Sequence, residues 1–177
     1  MNYYIAYGSN LYSEQFYQRC PDSVFVASGV LKDYTLAFCG INGNAFLTVK
    51  KQAGGSVPVA VYRISPSDER FLDVYEGYPN FYTKEQVVVE VNTDETIEGT
   101  MYVMIDQPYA YPSESYFHIC SMGYQELGFP VEVLEDAISY LATSSAVGHN
   151  LQFYRKRMGY SQSKLEELCG FSKGKIC

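Results

Sequence analysis

The stretch Tyr3-Tyr4-Ile5-Ala6-Tyr7-Gly8-Ser9-Asn10-Leu11 decides the fold of this 177-residue chain. Residues 3–7 are mostly aromatic or β-branched, the composition of a strand. The strand breaks at once into Gly-Ser-Asn. Gly8 accepts backbone angles that a Cβ disfavours, and Asn10 tolerates left-handed geometry and bonds its own backbone. Successive peptide N–H groups in such a turn can face one concavity and hold an anion such as a carboxylate. A plain connecting turn is the competing reading of the same residues.

The rest of the chain supplies the frame for that turn. Tyr34 to Cys39, Phe46 to Val49 and Val57 to Ile64 are β-rich, with turn chemistry between them at Gly40-Ile41-Asn42-Gly43 and Gly54-Gly55. Ser65-Pro66-Ser67-Asp68 starts a helix. Ser65 caps it, Pro66 suits its first position, and an acidic Asp68 favours the dipole. Gly77 is placed to end the helix, and Pro79 reinforces the stop. Glu85 to Val91 and Thr100 to Ile105 follow as strands around an Asn92-Thr93-Asp94 turn. After Pro112 the period changes, and residues 113–127 and 131–142 read as helices joined by Gly128-Phe129-Pro130. Strands first and helices later predict an α+β fold, with a small mixed β-barrel among the architectures that fit. The division expected is a domain over 1–145 and a helical tail over 146–177.

Composition narrows the function classes. The hydrophobic share is 47%, enough at this length for one well-buried core. Eighteen Tyr, ten Phe and no Trp imply that some rings line a pocket with their polar tips, while most are half-buried strand residues. Residues 151–177 hold six cations against two acids, a local +4, which leaves −11 on the rest of a chain of net charge −7. Such a body repels nucleic acid. Five Cys at wide spacings, with no C-x-x-C, indicate free thiols in a reducing cytosol. Two His and no H-E-x-x-H give no metal site, and no G-x-G-x-x-G gives no nucleotide cofactor. No basic-then-apolar leader and no run of 18 apolar residues is visible, so no signal peptide or membrane span is expected and the location expected is cytoplasmic.

Glu76 is the candidate for chemistry. It sits at a helix end beside a loop, among Tyr75, Tyr78, Phe81 and Tyr82. An apolar setting raises a carboxyl group's pKa and lets it take and return a proton near neutrality. A solvated glutamate at a helix terminus is the alternative. Glu69, Asp73 and Glu76 share one helix face and read as an acidic, solvated stripe rather than a glycosidase pair. Ser9 lacks the G-x-S-x-G elbow of a serine nucleophile. His118 and Cys120, two apart on a helix, do not face each other.

Three signals in order carry a resemblance. They are Tyr7-Gly8-Ser9-Asn10-Leu11, then Glu76-Gly77 after a short helix, then Pro112-Ser113-Glu114-Ser115-Tyr116 before two helices. This order resembles the γ-glutamylcyclotransferase (AIG2-like) family over roughly residues 3 to 141. The resemblance implies a small β-barrel ringed by helices and the cyclisation of a small γ-glutamyl substrate to 5-oxoproline with release of an amine. It implies Glu76 as general acid/base, with Tyr4, Ile5, Ala6, Tyr7, Gly8, Ser9, Asn10 and Leu11 as the substrate-binding strand and turn. Tyr116 and Tyr82 are implied as further substrate contacts. No cofactor is expected. The leaving amine is open, and so is the oligomeric state, a homodimer included. The competing functional reading is a module that binds a γ-glutamyl-like metabolite without turning it over and contacts a partner through its tail.

The tail carries its own resemblance. Residues 154–176, from Tyr154 through Ser161-Gln162, Leu165, Leu168 and Gly170 to Ser172 and Ile176, resemble the opening of a repressor-type helix-turn-helix. Glu166 stands where that motif uses a small residue, and the chain stops about five residues after Ser172, too soon for a helix that reads a groove. A remnant without DNA binding is the expectation.

Overall fold

Strand β1 (Asn2–Ala6) is short, β2 (Val24–Ile41) and β3 (Asn44–Ile64) are long, and β4 (Tyr82–Asn92) and β5 (Glu95–Met104) complete the set. In this computed structural model, which describes residues 2–92 and 95–169 with only the backbone at 169, they close into a barrel in the order β1-β3-β2-β4-β5. The closing contact, Tyr4 opposite Thr100, is parallel, while the other pairings are antiparallel. The expected mixed barrel in an α+β fold is what forms. Ile5, Val59, Val61, Val89 and Met101 are fully or almost fully buried within its core.

The hairpin of β2 and β3 turns at Asn42-Gly43, the dipeptide most suited to a two-residue connection. Two readings of this region change. Phe46–Val49 and Val57–Ile64 belong to one strand, and Gly54-Gly55 is a bend inside it rather than a turn between strands. The register shifts between Lys32 and Tyr34, and Asp33, at φ 60°, accepts a hydrogen bond from the Gly54 N–H at 2.8 Å. The pair is bulged and bent, and its pairing continues beyond the irregularity. The Asn92-Thr93-Asp94 turn includes two residues outside the described ones.

Six α-helices occur among the described residues: α1 (Ser13–Arg19), α2 (Pro66–Glu76), α3 (Glu114–Glu126), α4 (Glu132–Tyr140), α5 (Ser144–Arg157) and α6 (Gln162–Cys169). Helix α2 follows its sequence signals closely. The Ser65 hydroxyl accepts from the Asp68 N–H, the Asp68 carboxylate accepts from the Ser65 N–H, and Gly77 ends the helix at φ 65°. Helix α1 was not anticipated. Helix α3 presses on the segment after β1 through Gly123, where a Cβ would come within 2.6 Å of the Tyr12 nitrogen. That close approach fixes the turn at residues 8–11 against the barrel.

In the tail, Ser161 Oγ accepts from the Lys164 N–H at the start of α6, and Glu166 is buried. The Gly170 turn and the helix expected from Ser172 lie outside the described residues. No described helix is long and apolar enough to cross a membrane.

Candidate active site

The site lies where the end of β1, the end of α2 and the start of α3 meet at one mouth of the barrel. Residues Ser9–Leu11 form a single right-handed 3-10 turn, closed by the Leu11 N–H on the Gly8 carbonyl at 2.9 Å. The expected left-handed geometry is absent: Gly8 has φ −120° and Asn10 lies within the turn. Gly8 matters here through space, since a Cβ would touch Leu47 at 3.5 Å and the Tyr116 hydroxyl at 3.7 Å. The N–H groups of Gly8, Ser9 and Asn10 precede the first bonded donor of the turn, as at any helix start. Among the described residues none of the three has a protein acceptor.

Facing them is a cavity of about 30 Å³ that opens to solvent. This is room for one or two water molecules. Tyr4, Tyr7, Tyr82, Tyr102 and Tyr116 form its walls together with Leu47, and Gly8, Ser9, Asn10 and Glu76 complete the lining. The first half of β3 leaves its outer edge unpaired on this side, and tyrosine hydroxyls cover it. Tyr82 donates to the Leu47 carbonyl at 2.8 Å, while the Tyr116 oxygen accepts from the Leu47 N–H at 3.2 Å. Tyr7 donates to the Tyr102 carbonyl at 2.6 Å, and Tyr102 donates to Asp73 at 2.6 Å. Burial pushes the hydroxyls of Tyr4, Tyr7, Tyr82 and Tyr116 well above the usual phenol range, and the negative charge of Glu76 adds to the effect. These walls are neutral hydrogen-bonding groups at any ordinary pH.

Glu76, half-buried overall, accepts a hydrogen bond at Oε1 from Asn10 Nδ2 at 3.0 Å. Desolvation pushes its carboxyl group up to about 7, against the opposing effects of that hydrogen bond and the nearby Arg19 charge. A carboxyl group poised there can both accept and donate a proton near neutrality. Asn10 Nδ2 also donates to the Tyr4 hydroxyl at 2.8 Å, so one amide ties β1 to α2.

The structure thus brings together Tyr4, Tyr7, Gly8, Ser9, Asn10, Glu76, Tyr82 and Tyr116. It does not bring Ile5, Ala6 or Leu11 to the cavity; all three are core residues, at most 1% exposed. In the strand, alternate residues face opposite ways, which separates Tyr4 from Ile5. Two further expectations change. Tyr75 and Tyr78 are exposed, at 47% and 41%, and do not supply the apolar setting of Glu76. Nor are Glu69 and Asp73 simply solvated. Lys84 bridges them at 2.7 Å each, and its hydrogen bond holds the Glu69 carboxyl below the usual range. The sequence reading missed Leu47, Tyr102 and Arg19. Strand alternation could place Tyr102 on one face with Thr100 and Met104, but nothing local names α2 as its neighbour.

Among the described residues no group of three or more His, Cys, Asp or Glu side chains stands together as metal ligands. Cys20, Cys39 and Cys120 are free and buried, and burial pushes their thiols up to about 12, 11 and 12.

Fold and site together define a small α+β barrel protein built around one carboxylate of raised pKa and a ring of tyrosines. Residues 4–118 match the family described as gamma-glutamyl cyclotransferase, AIG2-like. The gamma-glutamylcyclotransferase of Mus musculus is 31% identical over 140 residues, covering 75% of this chain and 74% of the mouse protein. The Homo sapiens gamma-glutamylcyclotransferase gives the same identity and coverage. A solved structure of a gamma-glutamyl cyclotransferase superposes with a TM-score of 0.69 at 29% identity, over 77% of this chain and 85% of that one. The chain belongs to the gamma-glutamyl cyclotransferase, AIG2-like family.

Proposed function

We propose that this γ-glutamylcyclotransferase-family enzyme converts a γ-glutamyl amine or γ-glutamyl amino acid to 5-oxoproline and the free amine, with Glu76 as general acid/base. The observation that carries the reading is the Glu76 carboxyl group, raised to about 7 and facing a turn whose N–H groups have no protein acceptor. The substrate's α-ammonium group gives a proton to the Glu76 carboxylate. The freed amine attacks the γ-carbonyl carbon of the same molecule, forming the ring C–N bond. The Glu76 proton then passes to the leaving nitrogen as the old C–N bond breaks, and the ring nitrogen's surplus proton returns through Glu76 to the freed amine, which leaves as an ammonium ion and restores the carboxylate. Nucleophile and electrophile share one molecule, so the protein's task is to fold the substrate into a reactive shape. Such positioning can be worth roughly 7–11 kcal/mol in favourable cases.

In this reading the Gly8, Ser9 and Asn10 N–H groups hold a carboxylate or the developing oxyanion. Tyr4, Tyr7, Tyr82 and Tyr116 offer hydroxyls around the reacting end. The cavity is only about 30 Å³, so the leaving group stays outside it, at the solvent opening, and is not selected there. The reacting domain is residues 1–145, with 146–177 a tail outside the chemistry. The location is the cytoplasm, where γ-glutamyl compounds such as those of glutathione metabolism are available as substrates, and the cycle uses no metal or cofactor.

Incubation with a panel of γ-glutamyl amides, scored by mass spectrometry for 5-oxoproline, tests the reading. Release of 5-oxoproline from at least one amide, abolished in Glu76→Gln, is the expected result. Tight binding of 5-oxoproline without turnover of any amide would instead favour a metabolite-binding module.

A further inference from the structure

Arg19 stands behind the cavity wall at the end of α1, and its contacts govern which way the Asn10 amide points. Its Nη1 donates to Asn10 Oδ1 at 2.7 Å and its Nη2 donates to Gln15 Oε1 at 2.8 Å. The guanidinium lies over the Tyr75 ring, 3.9 Å from the centroid, so stacking and the planar fork both fix its orientation. Asn10 is only 3% exposed. An amide has one accepting oxygen and a donating NH2 group. With the oxygen held by a cation, the NH2 group must face the other way, toward Tyr4 at 2.8 Å and Glu76 at 3.0 Å. The flipped amide would turn its oxygen on the Glu76 carboxylate and its hydrogens on the guanidinium, two repulsions in place of two attractions.

We infer that Arg19 is a positioning residue for the reaction: it locks the Asn10 amide so that Nδ2 holds the Glu76 carboxylate in its working place. The inference rests on the reading of Glu76 as the general acid/base. The other titratable groups that face Glu76 do not compete for this part. Tyr4 on β1, Tyr7 just after it, Tyr82 on β4, Tyr102 on β5, Tyr116 on α3 and Cys20 after α1 are all kept neutral by burial. Asp73 and Glu69, lower on α2, are matched by Lys84.

The sign of the effect follows. Arg19 and the Asn10 hydrogen bond both favour the carboxylate and oppose the desolvation that raises it. In Arg19→Met both supports are weakened, so Glu76 should ionise at higher pH, by about one unit for the loss of a nearby opposite charge. Turnover on the acid side should then fall about tenfold at fixed pH, chiefly in kcat.

The test follows the Glu76 carboxyl carbon by NMR in protein labelled at glutamate side chains, with Glu76→Gln to assign the signal, and records kcat and KM against pH. Expected in folded Arg19→Met are a Glu76 titration moved up by about one unit and an acid limb moved with it. In Arg19→Lys, which keeps a charged donor, most of both shifts should be reversed. Arg19→Gln serves the same comparison if the Met variant does not fold. An unmoved Glu76 titration in a folded variant would overturn the inference, as would a loss of kcat that is uniform across pH. A moved titration in a protein whose unaltered form turns over no γ-glutamyl amide would overturn the catalytic reading itself and leave only a structural lock.

Discussion

Two cavities of this protein contrast in size and in how deeply their lining is buried. The larger, about 730 Å³, lies between β3, the segment 105–109 and helices α4 and α5. Of its charged lining residues, Lys51, Asp106, Asp136 and Lys156 are exposed and Lys50 is half-buried. The smaller holds about 30 Å³ and is walled by buried tyrosines around one carboxyl group raised to about 7. Volume alone would select the first. The second has what acid/base chemistry needs: a desolvated carboxylate, fixed hydrogen-bond partners and little mobile water. A charge on the rim of a wide cleft is hydrated and screened, whereas the same charge against tyrosine rings changes its proton affinity. The comparison predicts that substitutions in the small cavity act on chemistry and those in the large one scarcely do.

The largest expected effect is that of Glu76→Gln. The amide keeps the shape and the Asn10 contact within reach but carries no exchangeable acid proton at neutral pH. Turnover should fall by roughly 10²–10⁴, the range for general acid–base catalysis. In the unaltered protein kcat/KM should rise with pH to a plateau through a value near 7, where Glu76 loses its proton. A folded Glu76→Gln protein with near-normal turnover would erase the distinction between the cavities.

The same substitution sharpens the comparison through stability. The Glu76 carboxyl group is raised from its ordinary value near 4.5 to about 7. Below pH 4.5 it is protonated in both folded and unfolded chains, and its contribution to stability is fully present. Above 4.5 the unfolded chain ionises first, so stability is lost as pH rises through 7. Glu76→Gln removes that loss. Allowing for partial exposure, the variant should gain roughly 1–3 kcal/mol relative to the unaltered protein between pH 5 and pH 8. Urea unfolding at the two pH values measures the gap, and an equal gap at both would mean that the carboxylate is not desolvated.

Gly8→Val addresses the other wall. Its Cβ fits at ordinary contact distance from Leu47, but its methyl groups would crowd Leu47, the Tyr116 hydroxyl and the space before the turn. Affinity for 5-oxoproline, measured calorimetrically, should weaken about tenfold, or about 1.4 kcal/mol, with little change in melting temperature. Unchanged affinity would remove the turn from the binding site.

The contrast also explains what was legible in the sequence. Helix α2 could be read residue by residue, because Ser65, Pro66, Asp68 and Gly77 act within one element. The same signals put Glu76 at the helix end, but its proposed role came from the family resemblance, since the local residues alone also read as a solvated glutamate. Its surroundings were misread because neighbours in sequence are not neighbours across a closed barrel. Tyr75 and Tyr78 flank Glu76 along the chain yet face solvent, whereas Tyr4, Tyr7, Tyr102 and Tyr116 reach it from three other elements. Leu47 takes part through its backbone, which no side-chain pattern records. At Gly54-Gly55 two glycines suggested a turn, and the cross-strand partner β2 decided for a bend.

The smallest effects belong to the large cavity. Lys50 and Lys156 line it from β3 and α5, and no ion pair ties either among the described residues. A helix-side asparagine already anchors this region independently of them: Asn150 accepts from the Tyr109 N–H at 2.7 Å and donates to the Tyr109 carbonyl at 2.8 Å. Lys50→Gln and Lys156→Gln should therefore leave folding intact and shift kcat/KM for a small γ-glutamyl amide by no more than about twofold, the scale of an ordinary surface substitution. The informative comparison repeats the measurement with leaving groups of increasing length and negative charge. A tenfold loss confined to long anionic substrates would show that the leaving group reaches the lysines, making the two cavities parts of one extended site. A tenfold loss for every substrate would mean that the large cavity serves the chemistry directly, and the separation drawn from desolvation would fail.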